Sequence, residues 1–272
     1  MPEVLKLSST ILTPEVKLRY CPWIESVCSS YGVECVQYTD QVYANKPKVE
    51  DLEAQILQGN RPVLVLSGPS GAGKDAVLRY LIERNQCQRH FKRIVTATAR
   101  SRRDGEDEAE YIWLNQKQFD RIIENDGFIE YVNYVGRSYG TIRSIVKRMM
   151  DNKNIEPVFR VDPKGIVNLL QKQAEGEEVF QETAFINIMI MPESELVIAQ
   201  RLYRREVEEK PEDKKFGGLQ TVEKRLDQLA TDLSNLNHAH FLIINRTGEL
   251  DKTVEALEAI YEGCMTVRSI NG

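Results

Sequence analysis

The stretch that most constrains this chain runs from Pro62 to Leu78, PVLVLSGPSGAGKDAVL. Val63, Leu64, Val65 and Leu66 make a short apolar run, the pattern of a strand buried on both faces of a parallel sheet. Gly68-Pro69-Ser70-Gly71-Ala72-Gly73-Lys74 follows with the G-x-x-x-x-G-K spacing of a phosphate-binding loop. A helix-compatible run then begins at Asp75 and carries Ala76, Val77, Leu78, Leu81 and Ile82. The glycines let backbone N–H groups curl around a polyphosphate, and the helix start adds its positive dipole end. Lys74 reaches the β- and γ-phosphates as a mobile point charge. The bland alternative is a glycine-rich turn that binds nothing, and the lysine with its flanking strand and helix argues against it.

Asp75 breaks the pattern, because a Ser or Thr hydroxyl that ligates Mg²⁺ is expected after the lysine. A carboxylate is a hard oxygen donor, so Asp75 is a candidate Mg²⁺ ligand. It suits a helix N-terminus equally well as a plain cap.

The chain has 272 residues, enough for a nucleotide-binding domain with a modest appendage. A net charge of −5 gives no global field for nucleic acid or anionic membrane, so neither is expected as a partner. No apolar run approaches the length of a membrane span, and MPEVLKLSST lacks the layout of a signal peptide. Cys21, Cys28, Cys35, Cys87 and Cys264 form no CxxC pair, which favours reduced thiols and a cytoplasmic protein.

Residues 1–58 read as a small α-rich extension, with a short helix over Trp23–Ser30, an edge strand over Val33–Tyr38 and helical period from Val49 to Leu57. Lys46-Pro47-Lys48 reads as a break between them. Residues 59–272 read as the main domain. There the strand candidates are Val63–Ser67, Arg93–Ala97, Phe128–Tyr134, Val158–Val161, Ala184–Met189 and Phe241–Asn245. They alternate with helix candidates Ala76–Arg84, Gln116–Glu124, Thr141–Asp151, Lys164–Gln173, Ser194–Glu209, Thr221–Leu236 and Leu250–Glu262. Such alternation predicts an α/β fold, a mostly parallel sheet flanked by helices, with ligands at the carboxyl ends of its strands. The polar run Glu206–Gly218 predicts a mobile loop between two helices.

A second constellation follows the strand at Ile94–Val95. Thr96, Thr98, Arg100, Arg102, Arg103, Glu106 and Tyr111 crowd one loop. Guanidinium groups hold phosphate bidentately, and a tyrosine hydroxyl adds a bond. Taken alone, the run is as well read as a solvated surface loop. Beside a phosphate-binding loop it implies phosphoryl transfer between two phosphorylated partners. Glu130, within Phe128-Ile129-Glu130-Tyr131, is a carboxylate able to accept two parallel N–H bonds, such as guanine presents. Tyr111, Tyr131 and Tyr139 are equally compatible with plain packing. His238 and His240 stand H-x-H before a strand, but with no third ligand nearby a metal role is not expected.

These motifs, together with Gly136-Arg137-Ser138-Tyr139-Gly140-Thr141, resemble guanylate kinase in order and spacing over about residues 62–265. The resemblance implies a P-loop kinase core with the loop at 68–75, a GMP-binding subdomain over about 96–141 and a lid over about 201–225. It implies that Gly68 to Asp75 and Asn245 bind ATP, with Mg²⁺ as its companion. It also implies that Arg100, Arg103, Tyr111 and Tyr139 grip the GMP phosphate, with Glu106 in the same loop. Thr96, Glu130 and Thr141 read the guanine, and Asp162 lies near the nucleoside. Lys74, Arg201, Arg205 and Arg225 are the implied catalytic residues.

The chain departs from the family at Asp75, at Arg160 where the first Asp of D-x-D is usual, at a loop one residue shorter before Tyr111, and at Ser138. The first two departures suggest a swap that keeps one carboxylate near the metal. The expected reaction is transfer from ATP to GMP, and to dGMP, giving ADP and GDP. The GKD ending also resembles the phosphonate-pathway ribose bisphosphokinase, which is the alternative acceptor class. A third reading is an inactive guanylate-kinase-like module that binds phosphopeptide. The expected partners are ATP and GMP, with the chain a monomer or homodimer.

Overall fold

Residues 61–67 (β3) form the expected buried strand at the centre of the molecule. The computed structural model describes residues 21–85, 89–102, 107–134, 137–209 and 215–270. Arg103, Glu106 and Cys87 lie outside the described residues, as do positions 1–20.

In chain order the elements are α1 (Pro22–Ser30), β1 (Cys35–Gln37), β2 (Val42–Asn45), α2 (Lys46–Leu57), β3 (Arg61–Ser67), α3 (Lys74–Arg84), β4 (Phe91–Arg93), β5 (Ala97–Thr98) and β6 (Ile112–Trp113). Next come α4 (Gln116–Glu124), β7 (Phe128–Tyr134), β8 (Arg137–Ile142), α5 (Arg143–Asp151), β9 (Glu156–Arg160), α6 (Pro163–Ala174) and β10 (Thr183–Met191). The chain continues with α7 (Glu195–Tyr203), a π-helical turn at Arg204–Glu208, α8 (Lys215–Asp227), α9 (Leu229–Leu233), β11 (Phe241–Ile244) and α10 (Leu250–Ser269).

The main sheet has seven strands in the order β1-β2-β11-β10-β3-β9-β4. From β11 to β4 every pairing is parallel. The edge β1 and its neighbour β2 run antiparallel. Every residue of β10 is buried, which fits its largely apolar reading TAFINIMIM. Side-chain alternation splits β3 between two layers. Leu64 and Leu66 pack with Leu52, Leu81, Leu257 and Ile260 from α2, α3 and α10. Val63 and Val65 pack with Ile166 and Leu169 from α6 and with Phe159. A third cluster brings Ile24 and Val27 of α1 against Met189, Leu242 and Leu202.

A smaller sheet, ordered β6-β5-β8-β7, forms a wall facing the P-loop side of the main sheet. It is braced from behind by Phe119 and Phe128, whose ring centroids lie 4.5 Å apart. The single strand expected over Arg93–Ala97 is in fact two. β4 belongs to the main sheet and β5 to the small one, because the chain crosses between the sheets at 94–96. Pro47 does not break the chain; it occupies the first turn of α2, where its missing N–H has no partner to lose. The helix expected over Thr221–Leu236 is interrupted at Gln228. No helix among the described residues is long and apolar enough to cross a membrane.

Candidate active site

The carboxyl ends of β3 and β9 open into a cavity of about 810 Å³ between the two sheets. One wall is the loop between β3 and α3. Gly68 has φ +141, and a Cβ there would lie 2.2 Å from the Ile190 carbonyl oxygen of β10. Gly73, at φ +92, would place a Cβ 2.3 Å from Asn245 Nδ2. Neither position has room for a side chain, so the loop sits close against the sheet because it is glycine.

Asn245 holds that loop from behind. Its Nδ2 donates to Ala72 O at 2.8 Å, and its Oδ1 accepts from Thr253 Oγ1 at 3.3 Å. Asn245 is buried and does not line the cavity. Its place is behind the P-loop, where both ends of its amide are engaged by the protein.

Lys74 Nζ donates to Gly68 O at 2.6 Å and to Pro69 O at 3.0 Å, which aim it across the loop mouth. Burial, with Arg160 adding to it, lowers the ammonium to about 8. Arg201 bridges the same wall, donating to Asn245 O at 3.0 Å and to Gly71 O and Ala72 O at 3.4 Å. Arg225 donates to Ser70 Oγ from α8. Glu206, a buried acid in the π-helical turn, braces Arg205 at 2.9 Å and Arg225 at 3.6 Å. Arg201 and Arg225 therefore reach the P-loop, and Glu206 gathers Arg205 and Arg225. Its charge beside Arg205 signalled a surface pair, not a buried brace.

The facing wall is the small sheet. Thr96, Arg100, Tyr111, Glu130 and Tyr139 line the cavity with Asp162 from the end of β9. Thr141 stands one layer back, donating from Oγ1 to Glu130 Oε1. Burial pushes the Glu130 carboxyl up to about 7, while the Thr141 hydroxyl opposes the rise. Asp162 is held by the start of α6, accepting from the Gly165 N–H at 2.8 Å, yet burial still raises its pKa. Arg137, Arg79, Asp107 and Glu110 also line the cavity and were not singled out. Arg137 lay within the Gly136–Thr141 run, but arginine alone carries no spacing signal.

Arg160, the departure at the end of β9, meets Asp75, the departure in the P-loop. Its Nε lies 2.9 Å from Asp75 Oδ1, an ion pair not aligned as a hydrogen bond. Its Nη2 donates to Tyr111 OH at 2.5 Å. Burial opposes the Asp75 charge, but Arg160, Arg93 and Lys74 outweigh it and hold the carboxyl below its ordinary value. Burial likewise opposes the Arg160 charge, and Asp75 and Tyr111 overcome it and push its pKa up.

This pairing is the setting in which the expectation that Asp75 ligates Mg²⁺ stands. A metal at Asp75 would have to displace the Arg160 guanidinium and stand among Lys74 and Arg93. Among the described residues no group of three His, Cys, Asp or Glu side chains is arranged to hold a metal. In this structure the partner of the carboxylate is the arginine. His240, the second of the H-x-H pair, is buried and accepts the Asn187 N–H on Nδ1 at 2.9 Å. Burial lowers its pKa to about 3, so it stays neutral in the core.

A glycine loop thus forms one wall and an arginine- and tyrosine-lined surface the wall opposite it. The family profile described as Guanylate kinase covers residues 60–263. The chain belongs to the guanylate kinase family. It is 31% identical over 204 residues to guanylate kinase 2, chloroplastic/mitochondrial, of Oryza sativa subsp. japonica, covering 74% of this chain and 63% of the rice protein. The chain thus spans a little under two thirds of that relative's length. It is 27% identical over 199 residues to a guanylate kinase of Mycoplasmoides gallisepticum, covering 73% of this chain and 90% of that one. Among solved structures, the guanylate kinase of Anaplasma phagocytophilum superposes with a TM-score of 0.52 at 22% identity, over 76% of this chain and 87% of the other. That likeness is one of fold.

The close seat of the P-loop carries a direct test. Gly73→Ala should lower the free energy of unfolding by about 1–3 kcal/mol, from left-handed strain and the clash with Asn245. Denaturant titration reads this, and a variant as stable as the parent would contradict the geometry.

Proposed function

We propose that the protein transfers the γ-phosphoryl group of ATP to GMP, and to dGMP, giving ADP and GDP. The observation that carries this reading is the single cavity with a phosphate loop on one wall and Glu130, backed by Thr141, on the other. No covalent intermediate is needed, since phosphoryl transfer depends on positioning and charge stabilisation.

Each residue then has a role. The Gly68–Gly73 amides cradle the ATP phosphates, and Lys74 neutralises charge on the β- and γ-phosphates. Arg100, Tyr111 and Tyr139 hold the acceptor phosphate in line, and Arg103 and Glu106 belong to the same loop. Glu130 accepts the N1–H and 2-amino group of guanine, with Thr96 and Thr141 beside it and Asp162 near the nucleoside. Arg201, Arg205 and Arg225 gather on the transferring group and exclude water, which would otherwise compete as acceptor. Mg²⁺ enters as the companion of ATP that the family resemblance implies. We assign residues 1–58 to an extension of the kinase domain; its described part supplies β1 and β2 to the sheet. The compartment is the cytoplasm, a reading supported by cysteines without a CxxC pair.

An assay of ADP formation with GMP, dGMP, AMP, UMP and ribose 1,5-bisphosphate as acceptors tests the assignment. GMP and dGMP should be used and the others should not. Lys74→Ala should remove transfer while leaving the melting transition in place, and substantial residual turnover would overturn the role of the lysine.

The Glu130 carboxyl gives a pH dependence of defined sign. Its ionised form accepts both guanine N–H groups, and that form dominates above about 7. Affinity for GMP should therefore rise with pH through 7 and fall by about tenfold per unit well below it. The GMP phosphate titrates too, near about pH 6, but that ionisation is common to all variants. Titration calorimetry of wild type and Glu130→Gln isolates the carboxyl. The variant should bind GMP weakly and without this component, while ATP binding is unchanged. Identical profiles would mean that Glu130 does not read the base.

A further inference from the structure

Arg160 is a strong cation placed where the family resemblance leads one to expect an acid. It ends β9, the strand between β3 and β4, and lines the cavity with 12% of its side chain exposed. Two ties aim it. Asp75, at the start of α3, lies 2.9 Å from Nε, and Tyr111 OH accepts from Nη2 at 2.5 Å. The first partner belongs to the P-loop wall and the second to the opposite wall. Arg160 is thus held across the seam between the two halves of the site.

The surroundings are electrostatically unfinished. The Arg93, Arg100 and Arg160 guanidinium carbons stand 5.2, 4.9 and 5.1 Å from the Tyr111 ring centroid. Three cations around one ring repel one another at low dielectric. Arg160 also works against the charge of Lys74. Of the nearby acids, Asp75 meets Arg160, and Glu110 is shared between Arg93 at 2.9 Å and Arg79 at 3.4 Å. A hydroxyl after Lys74 with an acid at the end of β9 makes a negative pair. Here a carboxylate and a guanidinium make a neutral one. The seam is one unit more positive than the arrangement the resemblance implies, which favours an anionic group there. Arg160 also has N–H donors beyond the one given to Tyr111, in the fork geometry that matches phosphate.

We propose that Arg160 binds the acceptor phosphate directly, and that Asp75 is a positioning residue that acts through Arg160. The proposal rests on the reading of GMP as acceptor. The chemistry it recognises is a phosphate monoester dianion on the acceptor, not the base. Arg160 then fixes the incoming phosphate beside Lys74 as the cation that spans the donor and acceptor walls.

Titration calorimetry of the full chain with GMP and with guanosine tests this. The variants are Arg160→Met, Arg160→Lys, Asp75→Asn and the double Arg160→Met/Asp75→Asn, each checked for the parental melting transition. Arg160→Met should weaken GMP by about tenfold to a hundredfold, the scale of a charge-assisted bond, and leave guanosine binding unchanged. Arg160→Lys, which keeps the charge and loses the fork, should fall between Arg160→Met and wild type and serves if Arg160→Met does not fold. Asp75→Asn should weaken GMP less than Arg160→Met does. The double variant should be no worse than Arg160→Met alone, because Asp75 acts only through the arginine. Equal weakening of GMP and guanosine would show a structural role and overturn the proposal. So would strictly additive losses, or GMP binding that Arg160→Met leaves unchanged. Failure of the wild type to bind GMP would overturn the acceptor reading and the proposal with it, whereas tight wild-type binding unaffected at Arg160 overturns the proposal alone.

Discussion

The site depends on how closely the P-loop backbone lies against the ends of two strands. Gly68 rests on the Ile190 carbonyl of β10, and Gly73 rests on the amide of Asn245 just past β11. Those strands are buried on both faces, so they are fixed by packing, and the loop inherits their rigidity. A backbone cradle for phosphate works only if its N–H groups are held in place beforehand. Asn245 and Arg201 hold the rear of the loop through its carbonyls, at Ala72 and at Gly71 and Ala72. The front is then left to Lys74. The fold thus positions the donor site through the glycines themselves.

The proposed acceptor side is built differently. It stands on a separate small sheet, which Ile129 ties into the core cluster of Val63, Val65 and Phe159 and which charged groups link across the cavity. Asp75 to Arg160 to Tyr111 is a continuous polar path from the helix after the P-loop to the loop before β6. Glu206 does the same for the lid, drawing Arg205 and Arg225 toward Ser70. These links lie in a partly enclosed cavity, where they are screened less than surface pairs.

Much of this was legible in the sequence, and the limits have physical causes. The strand at Val63–Ser67 and helix Gln116–Glu124 were readable because burial on both faces and a capping box leave strong local patterns. β2 was not, since Val42–Asn45 is wholly buried yet mixes Tyr and Asn with apolar residues. β8 was quoted as a binding run but not as a strand, because its residues serve the cavity and carry no clean alternation. Arg160 and Asp75 stood out as two departures and were linked as a swap of one carboxylate, but not as a contact. The sequence shows that each breaks a pattern, but their distance of 2.9 Å is a property of the fold. The swap keeps a carboxylate by the P-loop, as the residues suggested, and that carboxylate is paired with the arginine.

The central claim is that one cavity holds donor and acceptor together, phosphate to phosphate. The most direct measurement is the affinity of a single molecule that joins adenosine and guanosine, 5′ to 5′, through a polyphosphate chain. If both walls act at once, it should bind about a hundredfold or more tighter than ATP or GMP alone, because linking makes the second contact intramolecular. An affinity no greater than that of ATP would show that the two walls do not form one site.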